Sequence, residues 1–148
     1  MSDPDTPTAV VVSVEDNPAD VRLLEEGVAA VDADIDLRVY NNGRTAVERL
    51  VNGENVVDEP VGLVLLDLNI PGKSGLEILR ELRGDSAFDG APIVVVSSST
   101  NPEDIRRVYE ATANAYLTKP SDPDEFIRTI AAAVQFWIDA STGASTNE

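Results

Sequence analysis

Cysteine and histidine are both absent from this chain of 148 residues. Without cysteine there are no disulfides, no thiolate nucleophiles and no Cys-ligated zinc. Without histidine there is no imidazole base, no His metal ligand and no phosphohistidine. Lysine is almost missing as well: Lys73 and Lys119 are the only two, and the other bases are arginines. No apolar run approaches the ~20 residues of a membrane span. The first residues, Met1-Ser2-Asp3-Pro4-Asp5, are acidic and polar, unlike the basic and apolar start of a signal peptide. A cytoplasmic protein with no membrane partner is therefore expected. Its chemistry has to run on carboxylates, hydroxyls, amides, Lys and Arg.

What is abundant is acid. Asp and Glu number 27 against 11 bases, a net charge of −16. Such a surface repels phosphate backbones and anionic lipids, so no nucleic-acid partner is expected. A large acidic excess with scarce lysine is also the pattern of halophilic proteins, in which hydrated carboxylates keep the chain dispersed in concentrated salt. Hydrophobic residues still make up 43%, enough for a folded core rather than a disordered chain. A domain of this length buries roughly 68–70% of its unfolded surface.

Short Val/Ile/Leu-rich runs alternate with amphipathic segments. The runs are Ala9 to Val14, Ile35 to Tyr40, Val61 to Leu66, Ile93 to Val96 and Ala115 to Leu117. Several barely alternate in polarity, as strands buried on both faces do. Asn17-Pro18, Asn101-Pro102 and Asp122-Pro123 each read as an N-cap followed by Pro at the first helical position. Ser74 with Glu77, and Asp122 with Glu125, have capping-box spacing. A further helix is expected from about Arg44 to Asn52. Five strand–helix repeats imply an α/β fold: a doubly wound (βα)5 parallel sheet, flavodoxin-like, with strand order 2-1-3-4-5. One domain is expected over residues 8–140, with no segment left for an output module. Residues 1–7 and 141–148 are expected to be disordered, and Asn52 to Pro60 to be a long acidic loop.

In such sheets ligands sit beyond the carboxyl ends of the strands, where the strand order switches. The residues at those ends are Glu15-Asp16, then Asp67 with Asn69, then Ser97, then Lys119. Three converging carboxylates repel one another unless a cation joins them. A hard divalent ion with oxygen ligands, Mg²⁺, answers that need. A carboxylate can itself accept a phosphoryl group, and that transfer asks mainly for charge neutralisation. Mg²⁺, Lys119 and the Ser97 hydroxyl can supply it without any histidine. Pro71-Gly72-Lys73-Ser74 is a decoy: a phosphate-binding P-loop needs a further Gly where Asp67 stands. A flavin site is disfavoured by the two acids that open the loop after the first strand. A dehalogenase-like phosphatase would want a second acid where Asn69 stands.

Val11 to Asn17, Leu65 to Gly72, Pro92 to Ser98 and Tyr116 to Pro120 together resemble the receiver domain of two-component response regulators. The resemblance runs from about Thr8 to Ala140. Glu15-Asp16-Asn17-Pro18-Ala19-Asp20, Pro71 to Gly75 and Phe136-Trp137-Ile138 resemble the single-domain regulators that partner bacterial phytochromes. This implies a sensor histidine kinase, of the phytochrome type, as partner. It implies Asp67 as phospho-acceptor, Asp16 as a direct Mg²⁺ ligand, Glu15 acting through metal-bound water, and Asn69 offering its carbonyl to the metal. Ser97 would be the switch hydroxyl, Tyr116 the aromatic that follows it, Lys119 the phosphoryl partner, and Pro120 would follow a cis peptide bond. Two positions depart from the family pattern, Glu for Asp at position 15 and Ser for Thr at position 97. The chain is then no enzyme but a phosphoacceptor that assists its own phosphorylation and dephosphorylation. The alternative is a phosphate-independent interaction module on the same fold. Phe136 and Trp137 are expected on the surface, in a patch that supports a homodimer through helix 4, strand 5 and helix 5.

The charge balance yields a test. At about 0.01 M salt the Debye length grows to about 30 Å, so like charges over the whole surface repel one another. Thermal stability should rise steeply with KCl up to molar concentrations. A melting temperature that hardly moved between dilute and concentrated salt would remove the halophilic expectation.

Overall fold

The structure is a computed structural model, described over residues 9–51 and 61–143. Strands β1 (Ala9–Val14), β2 (Ile35–Tyr40), β3 (Val61–Leu66), β4 (Ile93–Ser97) and β5 (Ala115–Thr118) form one parallel sheet in the order β2-β1-β3-β4-β5. Between and after them run α1 (Pro18–Ala29), α2 (Gly43–Leu50), α3 (Gly75–Arg83), α4 (Pro102–Glu110) and α5 (Pro123–Gly143). The doubly wound order expected from the sequence is the one observed.

Side-chain alternation along the strands builds two cores. Val10, Val12, Val14, Val64, Leu66, Ile93 and Val95 face α2, α3 and α4, where Ala46, Ile78, Leu79, Leu82 and Val108 meet them. Val11, Leu63, Leu65, Val94 and Val96 face the opposite way, against Leu24 and Val28 of α1 and Phe126, Ile130, Val134 and Ile138 of α5. Both faces of the sheet are covered, which is why these strands read as continuous apolar runs.

The caps act as the sequence suggests. The Asn17 side chain accepts from the Ala19 and Asp20 amides, Asn101 accepts from Glu103, and Ser74 with Glu77 completes a capping box. Four details differ from expectation. Helix α2 starts at Gly43, because Asn42 caps it, and stops at Leu50. Helix α5 continues to Gly143, so residues 141–143 are helical; no proline interrupts it, and glycine is a common helix end. All peptide bonds among the described residues are trans, the one before Pro120 included, trans being the favoured isomer even there. Trp137 is half-buried against the α1/α5 core, its ring edge-on to the exposed Phe136 at 5.0 Å. Helical spacing puts Trp137 beside Ile138 and Val134 at the rim of that core, so only Phe136 is left outside. The expected disordered N-terminal segment 1–7, the loop 52–60 and the end of the tail, 144–148, lie outside the described residues. No helix among the described residues is long and apolar enough to cross a membrane.

A single arginine ties the far end of the molecule together. Arg83, at the end of α3, donates to the carbonyls of Thr112 (3.0 Å), Phe88 (2.7 Å) and Ala91 (2.9 Å) and to Asn114 Oδ1 (2.6 Å). The same Asn114 oxygen accepts the Ile93 amide at 2.8 Å, so the entries to β4 and β5 hang on one guanidinium. Arg83→Ala should lower stability by roughly 2–3 kcal/mol, since several carbonyls lose their donor. Chemical denaturation measures this, and a change below about 0.5 kcal/mol would contradict the clamp.

Candidate functional site

Backbone hydrogen bonds continue just past the strand ends and hold the loops in place. The Glu15 amide donates to Tyr40 O (2.9 Å), the Asp67 amide to Val14 O (3.1 Å) and the Lys119 amide to Ser97 O (2.8 Å). Glu15, Asp67 and Lys119 are thereby delivered to one edge of the sheet. Glycines let the next turn approach. A Cβ on Gly75 would stand 2.3 Å from Asp67 O, so only glycine allows the start of α3 to lie against the Asp67–Leu68 backbone. Gly72 has φ +90°, the left-handed region in which glycine is at ease.

Glu15, Asp16 and Asp67 each offer a carboxylate oxygen within 4.8 Å of the others. Glu15 and Asp67 are buried and Asp16 is exposed. Into this acidic corner comes the Lys119 ammonium, its side chain only 8% exposed. It lies 2.8 Å from Glu15, 2.9 Å from Asp67 and 2.7 Å from Asp20. The Asn69 amide donates to the other Asp67 oxygen at 3.2 Å, which leaves the carboxylate gripped from two sides.

The electrostatics follow from burial. Burial is the largest influence on Glu15 and, with the Asp67 charge, pushes its carboxyl up to about 7, against the lowering effect of Lys119 and the Asn17 amide. For a carboxyl raised in the fold, the contribution to stability is complete below its ordinary value and fades as pH climbs through about 7. Burial works to lower the Lys119 ammonium, but its hydrogen bonds to Asp20, Glu15 and Asp67 together outweigh this and hold it above the usual lysine range. The site is thus a crowd of carboxylates around one cation that does not give up its proton.

An all-oxygen donor set with excess negative charge fits a hard divalent ion. Softer metals would want the imidazole or thiolate ligands that the chain does not have. Glu15, Asp16 and Asp67 are the residues that could hold such an ion. Beside Asp16 an open cleft of about 480 Å³, lined by Arg22, Tyr40 and Thr45 among others, leads to solvent.

The other residues singled out in the sequence lie one step away. Ser97 is fully buried at the end of β4, and its hydroxyl accepts the Ser99 amide at 3.3 Å. No hydrogen bond joins it to Asp67 among the described residues. Tyr116, half-buried on β5, donates its hydroxyl to Ser99 O at 2.6 Å. Sequence reading missed this hub. Ser99 also donates to Asp104 at 2.7 Å and accepts the Asn101 amide at 3.2 Å. Asp20 was missed too. An acid in the first turn of a helix looks like a partner for the helix dipole. Its place four residues after Asp16, one turn into α1, was the available signal.

Comparison with known proteins agrees with this geometry. Residues 11–131 match the family described as the response regulator receiver domain. Response regulator Rcp1 of Synechocystis sp. is 33% identical over 143 residues, which span 96% of this chain and 97% of that protein. The crystal structure of the phosphorylated cyanobacterial phytochrome response regulator RcpA superimposes with a TM-score of 0.85 at 32% identity, over 90% of this chain and 96% of that one. The Mn²⁺-bound form of Rcp1 superimposes with a TM-score of 0.81 at 32% identity, over 88% and 95%. With its sheet order, its acidic corner and a match over most of its length, the chain belongs to the response regulator receiver domain family.

Proposed function

We propose that this receiver accepts a phosphoryl group on Asp67 from a sensor histidine kinase and signals by changing its α4–β5–α5 surface. The observation that carries the reading is Asp67 itself. It is a buried carboxylate with one oxygen bound by Lys119 and the other by the Asn69 amide, at the open end of the sheet. In the transfer, an Asp67 oxygen bonds to phosphorus while the bond from phosphorus to the donor's imidazole nitrogen breaks, its electron pair leaving with the ring. Lys119 pairs with the phosphoryl oxygens, and the Ser97 hydroxyl, one strand away, turns to donate to one of them. Asp16, Asp67 and the Asn69 carbonyl, with Glu15 beside them, would hold Mg²⁺, which would supply the remaining neutralisation of charge. Water then attacks phosphorus, the bond from phosphorus to the Asp67 oxygen breaks, and inorganic phosphate leaves with Asp67 restored as a carboxylate, so the domain serves as a phosphoacceptor and not as an enzyme acting on a separate substrate.

The kinase we propose is of the phytochrome type. Its support is the likeness to RcpA, a phytochrome response regulator. A cytoplasmic location goes with this reading, as does a homodimer through α4, β5 and α5. Tyr109 and Phe136 support the dimer: they are 48% and 62% exposed, although Trp137 has withdrawn from the patch. The switch is a shift of population. Ser97 and Tyr116 are both bonded to Ser99, so a movement of the Ser97 hydroxyl toward phosphate is felt by the β4–α4 loop and by Tyr116.

With Mg²⁺ present, a small phosphodonor should add one phosphoryl mass to the wild-type protein and none to Asp67→Asn. Intact-mass spectrometry reads this directly, and phosphorylation persisting in Asp67→Asn would overturn the assignment. Sedimentation of the same protein in high salt should show a dimer with beryllofluoride bound. A monomer both free and bound, at high micromolar concentration, would overturn the dimer alone.

A further inference from the structure

Asp20 lies outside the set of oxygens suited to a divalent ion, yet it makes the shortest of the three contacts to Lys119. An ammonium has three hydrogens and accepts nothing. Here all three are taken, by carboxylates from three different segments: Glu15 after β1, Asp20 in α1 and Asp67 after β3. Two of these partners have other duties. Glu15 and Asp67 belong with Asp16 to the metal-ready cluster, and Asp67 is the carboxylate read above as the phosphoryl acceptor. Asp20 has no such second claim.

We propose that Asp20 is a positioning residue: the fixed post that keeps the Lys119 ammonium aimed at Asp67 while its other partners are engaged by the metal and the phosphoryl group. As far as the phosphoryl group is concerned, the proposal rests on the function given above. Lysine is a compact charge on a flexible stem, so its aim depends on a contact that persists. Asp20 is suited to provide one. Its short side chain projects from the first turn of α1, which is held firmly. Asn17 caps the helix through the Ala19 amide at 2.9 Å and the Asp20 amide at 3.3 Å. The Asn17 amide in turn donates to Glu15 Oε2 at 3.2 Å, so post, cap and site share one frame.

The scarcity of lysine makes the test simple. Protein labelled with ¹⁵N-lysine has two ammonium groups, and Lys73→Arg identifies the signal of Lys119. In the wild type, the Lys119 resonance should exchange slowly with water in the metal-free protein and persist when Mg²⁺ and beryllofluoride are added. In Asp20→Ala it should broaden beyond detection on those additions, while the Mg²⁺ affinity measured by calorimetry changes less than about threefold, since no metal ligand is lost. Asp20→Asn, which keeps an acceptor oxygen, should recover much of the resonance and guards against a folding defect in the alanine variant. Loading of Asp67 from a small phosphodonor should slow about tenfold in Asp20→Ala at saturating donor, with KM nearly unchanged. An acid that merely complements the helix dipole would alter the melting temperature and leave the ammonium signal alone. A Lys119 resonance equally persistent in Asp20→Ala overturns the proposal. So does a fall in Mg²⁺ affinity of about tenfold or more, which would tie Asp20 to the metal, as a ligand or an outer-shell support, and not to the ammonium. A wild-type protein that takes up no phosphoryl group would remove the proposed function, and the ammonium comparison in metal-free and Mg²⁺-loaded protein would still decide the role of Asp20.

Discussion

One ammonium holds the functional end of this protein together. Lys119 reaches in from the end of β5 and meets carboxylates that follow β1 and β3 and one that stands on α1. Parallel strands with apolar faces place those acids at one edge for reasons of packing alone, and without a cation the acids would drive the loops apart. Buried ion pairs of this kind are weak sources of stability, because desolvation offsets most of the attraction. Their effect is on position. Under the proposed function, a carboxylate that accepts a phosphoryl group would have to be desolvated, oriented and still reachable, and the surrounding excess of negative charge suits the entry of a divalent cation.

Beside that corner a path of hydrogen bonds leads from the buried Ser97 to α4 and β5. Ser97 is bonded to the Ser99 amide, the Ser99 hydroxyl to Asp104 on α4, and the Ser99 carbonyl to the Tyr116 hydroxyl on β5. The Tyr116 amide is met by the Tyr109 hydroxyl from α4 at 3.1 Å. The loop between β4 and α4 is therefore a small polar hub between the buried serine and the exposed face. Under the proposed function it would give a phosphoryl group on Asp67 a route to the surface, through a few local bonds and without movement of the sheet.

The sheet was legible in the sequence because its strands are buried on both faces and its helices announce their starts. Asn17-Pro18, Asn101-Pro102 and Ser74 with Glu77 state the caps almost literally, and Asp67 directly after Val61-Gly62-Leu63-Val64-Leu65-Leu66 is hard to read as anything but a strand-end acid facing a site. Contacts that depend on where a side chain ends up were less legible. Asp20 stands in the sequence as the last residue of the run Glu15 to Asp20, and its meeting with Lys119, 99 residues away, is set by the tertiary fold alone. Ser99 was one serine of three in a row. Trp137 looked surplus to the inward stripe of α5, yet a rim position packs its ring against the core. The extra turn beyond Ala140 follows from nothing more than the lack of a stop signal before Gly143.

The most direct measurement of the ammonium's place in this scheme is the unfolding of Lys119→Met, in high salt at pH 8, with and without Mg²⁺. Without the metal, the carboxylates lose the one cation that pairs with them among the described residues, and stability should fall by on the order of 2–4 kcal/mol. Millimolar Mg²⁺ should recover most of that loss, because a divalent ion among Glu15, Asp16 and Asp67 takes over the neutralisation. An unfolding curve unchanged in the metal-free variant, or a loss that Mg²⁺ does nothing to repair, would contradict the view that one ammonium and one divalent ion share the task of holding these carboxylates together.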